Sequence, residues 1–359
     1  LQPHQKTASL WVCERPLSTQ DLRKIYHYRI QFGKTMSKNF GLGSRSMKKA
    51  GMFALKHAEM VGAISFQTAA DLGQRWGQFC EFAREHGVRQ MEYVGGELVV
   101  EYGNQLAARV RDNLNRLPRE TYLNTELPLI CASTAQNRIS AVNTVMSLAT
   151  KGQWVPISPT ASTECGIAKR SNVRIVPPTG LNRDHLQRAM ARLDARGRAI
   201  TCLARELGLR SNEASLLDAV SALNEAVKTG EVTIEYGTKG GKSRRLKVSS
   251  DWQLSAMRRA ADIQGSARAV IPSEEDWKSW RENGLRFIRE TLQQSGIRGI
   301  HDLRSAYACE RYEPLTGFRA PVLGGNAPRD LDREARQKIS AELGHSRIDI
   351  TNAYLGGQR

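Results

Sequence analysis

From about residue 63 onward, apolar side chains recur mostly at three- and four-residue spacing. The period falls to two only around Val232, Ile234 and Tyr236 and again at Leu246 and Val248. The first spacing lays apolar residues along one face of a helix, and the second alternates them across a strand. Gly237-Thr-Lys-Gly-Gly241 separates the two alternating runs, so together they read as a β-hairpin. The expected fold is therefore mainly α with one small antiparallel β-sheet, an α+β arrangement.

Helices are expected along the face of Ala70, Leu72, Trp76, Phe79, Phe82 and Ala83, and at 99–116 and 134–150. Between 151 and 179 the chain is rich in Pro, Ser and Thr, with Pro156, Pro159, Pro177 and Pro178, which reads as a connection between domains. Beyond it, helices are expected at 182–194 and 197–207, at a single helix carrying Leu216, Leu217, Val220 and Leu223, and at 251–264, 273–294, 301–311 and 331–344. The organisation that follows is a basic segment 1–62, a helical domain 63–155, a linker 156–179 and a second domain 180–359.

Charge narrows the partner. Lys and Arg number 53 against 36 Asp and Glu, a net +17, and residues 1–62 hold eleven of the cations against three acids. A surplus of that size points to a polyanion, nucleic acid before anionic membrane. Phe32 to Ser46 interleaves cations, glycines and aromatics, as a segment following a phosphate backbone would; the alternative is a solvated basic surface with a short helix at 46–60. No apolar run approaches the length of a membrane span. Six cysteines spread along the chain form no C-x-x-C pair, which argues against a zinc site or disulfide framework and for a reducing compartment such as cytoplasm.

Four elements of the second half carry chemistry: Arg210 in Gly-Leu-Arg-x-x-Glu, Lys239 at the hairpin turn, His301-Asp-Leu-Arg304, and Leu343-Gly-His345 with Tyr354 nine residues on. Singly they are weak, since a lysine in a glycine-rich turn is usually solvated and a terminal tyrosine usually packs. Together and in this order, over roughly residues 64–359, they resemble the tyrosine recombinases, the site-specific DNA integrases and invertases. The spacing of 41 positions between Arg304 and His345 is longer than usual for that family, and the excess is a Pro/Gly-rich stretch at 312–328 that reads as a tolerated surface loop or as a contact to DNA or a neighbouring subunit.

Each residue type has a physical reason. Cutting DNA without losing its bond energy needs an attacking group that the protein retains, and the phenol of Tyr354 supplies one by forming a covalent phosphotyrosine. Attack loads negative charge on the equatorial phosphate oxygens, which the guanidinium forks of Arg210 and Arg304 are shaped to hold. The leaving 5′-oxygen needs a proton, which Lys239 on a mobile hairpin tip can bring; Lys242 could substitute, and the resemblance favours Lys239. His301 can accept the phenol proton or position the phosphate, and His345 can hydrogen-bond a non-bridging oxygen. By resemblance Glu213 orients a neighbouring site residue. Lys242, Arg244 and Arg245 of the hairpin and Lys169 and Arg170 of the linker are expected to contact DNA.

The resemblance thus implies a DNA recombinase needing no metal, nucleotide or other cofactor. A helical DNA-binding domain and a catalytic domain clamp double-stranded DNA, and four copies on two sites exchange strands through a Holliday junction. DNA-bending or directionality factors are possible further partners, and no membrane is involved. Two other readings share parts of the pattern: a type IB topoisomerase-like enzyme, and a non-catalytic architectural or accessory DNA-binding protein.

Overall fold

The computed structural model describes residues 38–110 and 129–357. Lys6, Arg15, Arg23, Lys24, Arg29 and Lys34 of the basic segment lie outside the described residues, as do positions 111–116 of the helix expected at 99–116. The chain divides into two compact units between Ser171 and Asn172.

The first unit is built on α1 (Met47–Met60), α2 (Phe66–Glu85), α3 (Gly96–Ala108) and α4 (Ala132–Ala149). Ser46 and Ser65 cap the first two helices by accepting from the backbone N–H groups of Lys49 and Thr68. The core centres on Trp76, fully buried, whose Nε1 donates to the Met47 carbonyl at 3.3 Å. At Gly51 a Cβ would lie 2.1 Å from that indole nitrogen, so only glycine lets α1 approach it.

The expected division at residue 62 therefore falls inside one core, because Met47, Ala50, Ala54, Leu55 and Ala58 of α1 pack with Trp76 and Phe79 of α2. Asn39 is also buried, accepting from the Met91 N–H at 2.8 Å, so this end of the expected backbone-following segment is packed. The start of the expected linker behaves likewise. Asn143 donates to the Ile157 carbonyl at 2.8 Å and accepts from Trp154 Nε1 at 2.9 Å, while Cys165 and Ile167 are buried in the same core. The Pro/Ser/Thr composition marks irregular backbone there, and its side chains are nonetheless held.

The second unit comprises α5 (Arg183–Met190), α6 (Ala195–Glu206), α7 (Ser211–Leu216), α8 (Ala219–Thr229), β1 (Glu231–Ile234), β2 (Arg244–Lys247), α9 (Asp251–Gln264), α10 (Trp277–Glu282), α11 (Gly284–Gln294), α12 (Ile300–Thr316), α13 (Arg329–Glu342) and α14 (Asn352–Leu355). The two strands pair antiparallel, Glu231 opposite Lys247 and Ile234 opposite Arg244, and bury Val232, Ile234 and Leu246. The mainly α fold with one small antiparallel sheet is as expected.

Three local expectations change. The helix expected through Leu216–Leu223 is two helices, because Leu217 is extended and Asp218 opens α8 by accepting from Ser221 N–H at 3.1 Å. The helix expected at 273–294 breaks at Asn283. The stretch 312–328 is packed: α12 continues through Pro314 to Thr316, and Tyr312, Thr316, Ala320 and Ala327 are buried.

Candidate active site

Two turns of the second unit converge on Arg304 of α12. Before α7, Gly208 adopts φ +61 where a Cβ would sit 2.5 Å from the Tyr307 ring, leaving its carbonyl to accept from Arg304 Nη1. Arg210 then opens α7, and its N–H donates to Glu213 Oε2 at 2.8 Å, one half of a capping box. After α13, Gly344 at φ +67 ends the helix in a Schellman turn: Gly344 N–H donates to the Ala341 carbonyl and His345 N–H to the Ser340 carbonyl, each at 2.8 Å. That turn aims His345 back toward α12 and leaves the Leu343 carbonyl for Arg304 Nη2 and, at 3.4 Å, Arg210 Nη2.

Tyr354 is 3% exposed, with its ring beside those of His301 and His345 at centroid distances of 5.7 and 5.6 Å. Its hydroxyl lies 3.0 Å from His345 Nε2 and accepts from Arg304 Nε at 3.4 Å. Arg304 Nη2 also faces His345 Nε2, at 3.4 Å. A guanidinium can only donate, so Nε2 is the acceptor and the neutral imidazole carries its proton on Nδ1, which lets the Tyr354 hydroxyl donate to Nε2.

The His345 pKa falls to about 3, first because the ring is desolvated and then because Arg304, Arg210, Arg244 and Lys239 surround it with positive charge. His301, though exposed on one side, is lowered by enclosure and then by Arg304, Arg210 and Arg174, with Asp302 opposing. Burial lowers Arg304 to about 10, which leaves it charged at neutral pH. The site is thus a cationic pocket holding a neutral imidazole against a phenol, an arrangement that suits an anionic group bearing several oxygens.

Glu213 is the buried counter-charge. It accepts from Arg210 Nη1 at 2.6 Å and from both ends of the Arg244 fork at 2.9 and 2.8 Å, with Arg304 Nη1 at 3.6 Å. Burial alone would raise its pKa, but Arg244 and Arg210 outweigh that and hold it at about 2. Arg244 was expected on DNA. Its side chain is instead 6% exposed, with its fork committed to Glu213 and its Nε to the Glu342 carbonyl at 2.7 Å. Lys239, Lys242, Arg245, Lys169 and Arg170 are exposed, Lys239 on the turn joining β1 to β2.

Two supports escape the sequence patterns. Arg336 of α13 is buried and paired with Asp332 at 2.8 Å, and it donates to Asn352 Oδ1 and the Gly356 carbonyl, each at 2.9 Å, so it grips the segment on both sides of Tyr354. Asp332 also accepts from the Tyr312 hydroxyl at 2.6 Å, which gives the packed 312–328 stretch a role in that grip. Arg174 reaches Asp302 and, at 3.0 Å, Ser305 Oγ, while its N–H donates to the Asn352 carbonyl at 2.8 Å. It thereby ties the start of the His301 helix to the Tyr354 helix. The sequence offered one signal, the Asp332/Arg336 spacing of an ion pair on one helix face.

The shifts fix how stability depends on pH. An unfolded histidine takes a proton near pH 6.5, whereas folded His345 refuses it until about 3, so stability is full above about 6.5 and falls as pH drops toward 3. His301 acts with the same sign, and Glu213 adds a further loss as pH falls from 4.5 toward 2. Urea midpoints at about pH 7.5 and about pH 5 should therefore differ, and His345→Asn should shrink that difference. An unchanged difference would contradict the placement of His345.

Comparisons with known proteins cover this unit and part of the first. Residues 170–310 match the family model described as Integrase. The fold is similar to that of a lambda integrase dimer bound to a COC′ core site (TM-score 0.50, 15% identity, covering 84% of this chain and 76% of that one). It is also similar to XerH site-specific recombinase bound to difH substrate in a pre-cleavage complex (TM-score 0.51, 15% identity, 95% and 91% covered) and to the post-cleavage complex on palindromic difH (TM-score 0.51, 15% identity, 86% and 79% covered). No curated protein sequence matches. The integrase match spans Arg210, Lys239, His301 and Arg304, and the fold is similar to that of these DNA-bound recombinases.

Proposed function

We propose that the chain is a site-specific DNA recombinase that cleaves and rejoins duplex DNA through a covalent 3′-phosphotyrosine at Tyr354. The observation that carries this reading is the Tyr354 hydroxyl 3.0 Å from a neutral His345 Nε2, in one pocket with Arg304 and Arg210. In the first step Tyr354 Oη forms a bond to phosphorus while its proton passes to a histidine. His345 is already hydrogen-bonded to it, and His301 borders the same ring. Arg210 and Arg304 hold the non-bridging oxygens as charge builds on them. The phosphorus–O5′ bond breaks, and Lys239 supplies the proton that the departing oxygen takes.

Rejoining reverses these transfers with a 5′-hydroxyl from the partner duplex. Four copies on two sites passing through a Holliday junction would complete the exchange in the cytoplasm. The exposed Lys242, Arg245, Lys169 and Arg170 would contact backbone phosphates, and neutralising them would weaken binding and flatten its salt dependence.

The test begins with selection, from random-sequence duplexes, of the site the chain binds. A duplex carrying that site, nicked so that the cleaved segment diffuses away, should accumulate a protein linked to a DNA 3′ end. Tight binding without any adduct would overturn the reading in favour of an accessory DNA-binding protein. Relaxation of supercoils without junctions would move it to a topoisomerase.

A further inference from the structure

We infer that Asn212 and Gly237 are positioning residues for Lys239, fixing the base of its loop to the same short helix that presents Arg210. The inference rests on the reading of Lys239 as the proton donor. Asn212 Nδ2 donates to the Gly237 carbonyl at 3.1 Å. Gly237 has φ +71, and a Cβ there would fall 2.7 Å from the Asn212 carbonyl carbon and oxygen and 2.9 Å from Glu213 N. The backbones therefore touch in a way that no other L-residue permits.

The opposite leg of the loop is fastened to the next residue of the helix, since Arg244 closes on Glu213 with both arms of its fork. Lys239 thus stands between two anchor points, Gly237 and Arg244, that engage the adjacent residues Asn212 and Glu213 of α7. Gly240 and Gly241, both at positive φ, form the tip between those anchors. Asn212 Oδ1 is buried without a hydrogen-bond partner, a cost to the fold that an apolar side chain would avoid. Its amide is thus better explained by the docked loop than by stability.

Proton delivery can be isolated chemically. With sulfur in place of the bridging 5′-oxygen, the phosphorus–sulfur bond breaks to release a thiolate that needs no proton, while attack by Tyr354 is unchanged. Gly237→Ala should slow cleavage of the oxygen-bridged site by about 10²-fold, as a misplaced catalytic group does. Asn212→Ala, which removes one hydrogen bond and no backbone contact, should slow it by about tenfold. Both should cleave the sulfur-bridged site at the wild-type rate, as should Lys239→Ala, whereas Arg304→Ala should stay slow on both.

Equal slowing of Gly237→Ala and Asn212→Ala on the two substrates, or no slowing of Asn212→Ala on either, would overturn the positioning role while leaving Lys239 as donor. Failure of sulfur to restore Lys239→Ala would overturn the donor reading and the inference with it. Asn212→Ala keeps the test open if Gly237→Ala does not fold.

Discussion

Replacing Glu213 with alanine should lower folding stability by about 3–5 kcal/mol, the range for removing one partner of a buried ion pair. The carboxylate is fully buried and takes Arg210, both arms of Arg244 and the Arg210 backbone N–H, with Arg304 at 3.6 Å. Without it, Arg304 and Arg244, both almost wholly enclosed, and Arg210 lose the carboxylate that faces all three. Glu213→Gln keeps the shape and one acceptor, so it should fall between alanine and wild type. Urea unfolding at neutral pH measures both. A loss under about 1 kcal/mol for Glu213→Ala would mean that the three guanidinium groups do not depend on this carboxylate.

Replacing Tyr354 with phenylalanine should abolish the covalent adduct altogether while leaving the fold and DNA affinity intact. The ring packs between His301 and His345 and is retained. Only the hydroxyl is lost, with one hydrogen bond at 3.0 Å to His345 and a longer one from Arg304 at 3.4 Å, worth about 1 kcal/mol of stability. Phenylalanine has no oxygen with which to form the ester, so the effect on the reaction is complete. Melting temperature and salt-matched DNA affinity near wild type, with no protein-linked DNA, is the expected pattern. Adduct formed by Tyr354→Phe would transfer the role to another residue.

Arg210, Arg304, His345 and Tyr354 stand out in the sequence only through the joint order of their short motifs and its resemblance to the tyrosine recombinases, and the structure brings the four side chains together. The hairpin is legible from the residues themselves, its period of two being local.

Arg244 was assigned to DNA from its charge, yet the alternation of β2 gives it the same parity as buried Leu246, while exposed Arg245 and Lys247 share the other face. That signal was present and outweighed by composition. The grip of Arg336 on Asn352 and Gly356, and the tie from Arg174 to Asp302, depend on partners 16 to 128 positions away, which no local period reveals. The same holds for the break before α8, where Gln264, 45 positions from Ala219, helps Asp218 satisfy the new helix start. Long-range pairing overrode helical periodicity there.

The most direct measurement of the central claim is mass spectrometry of the protein–DNA adduct after nuclease and trypsin digestion. Cleavage after Arg347 isolates residues 348–359, in which Tyr354 is the sole tyrosine. The expected result is that peptide carrying a nucleotide phosphate on Tyr354. The same mass on any other peptide, or its absence from site-bound protein, would contradict the account.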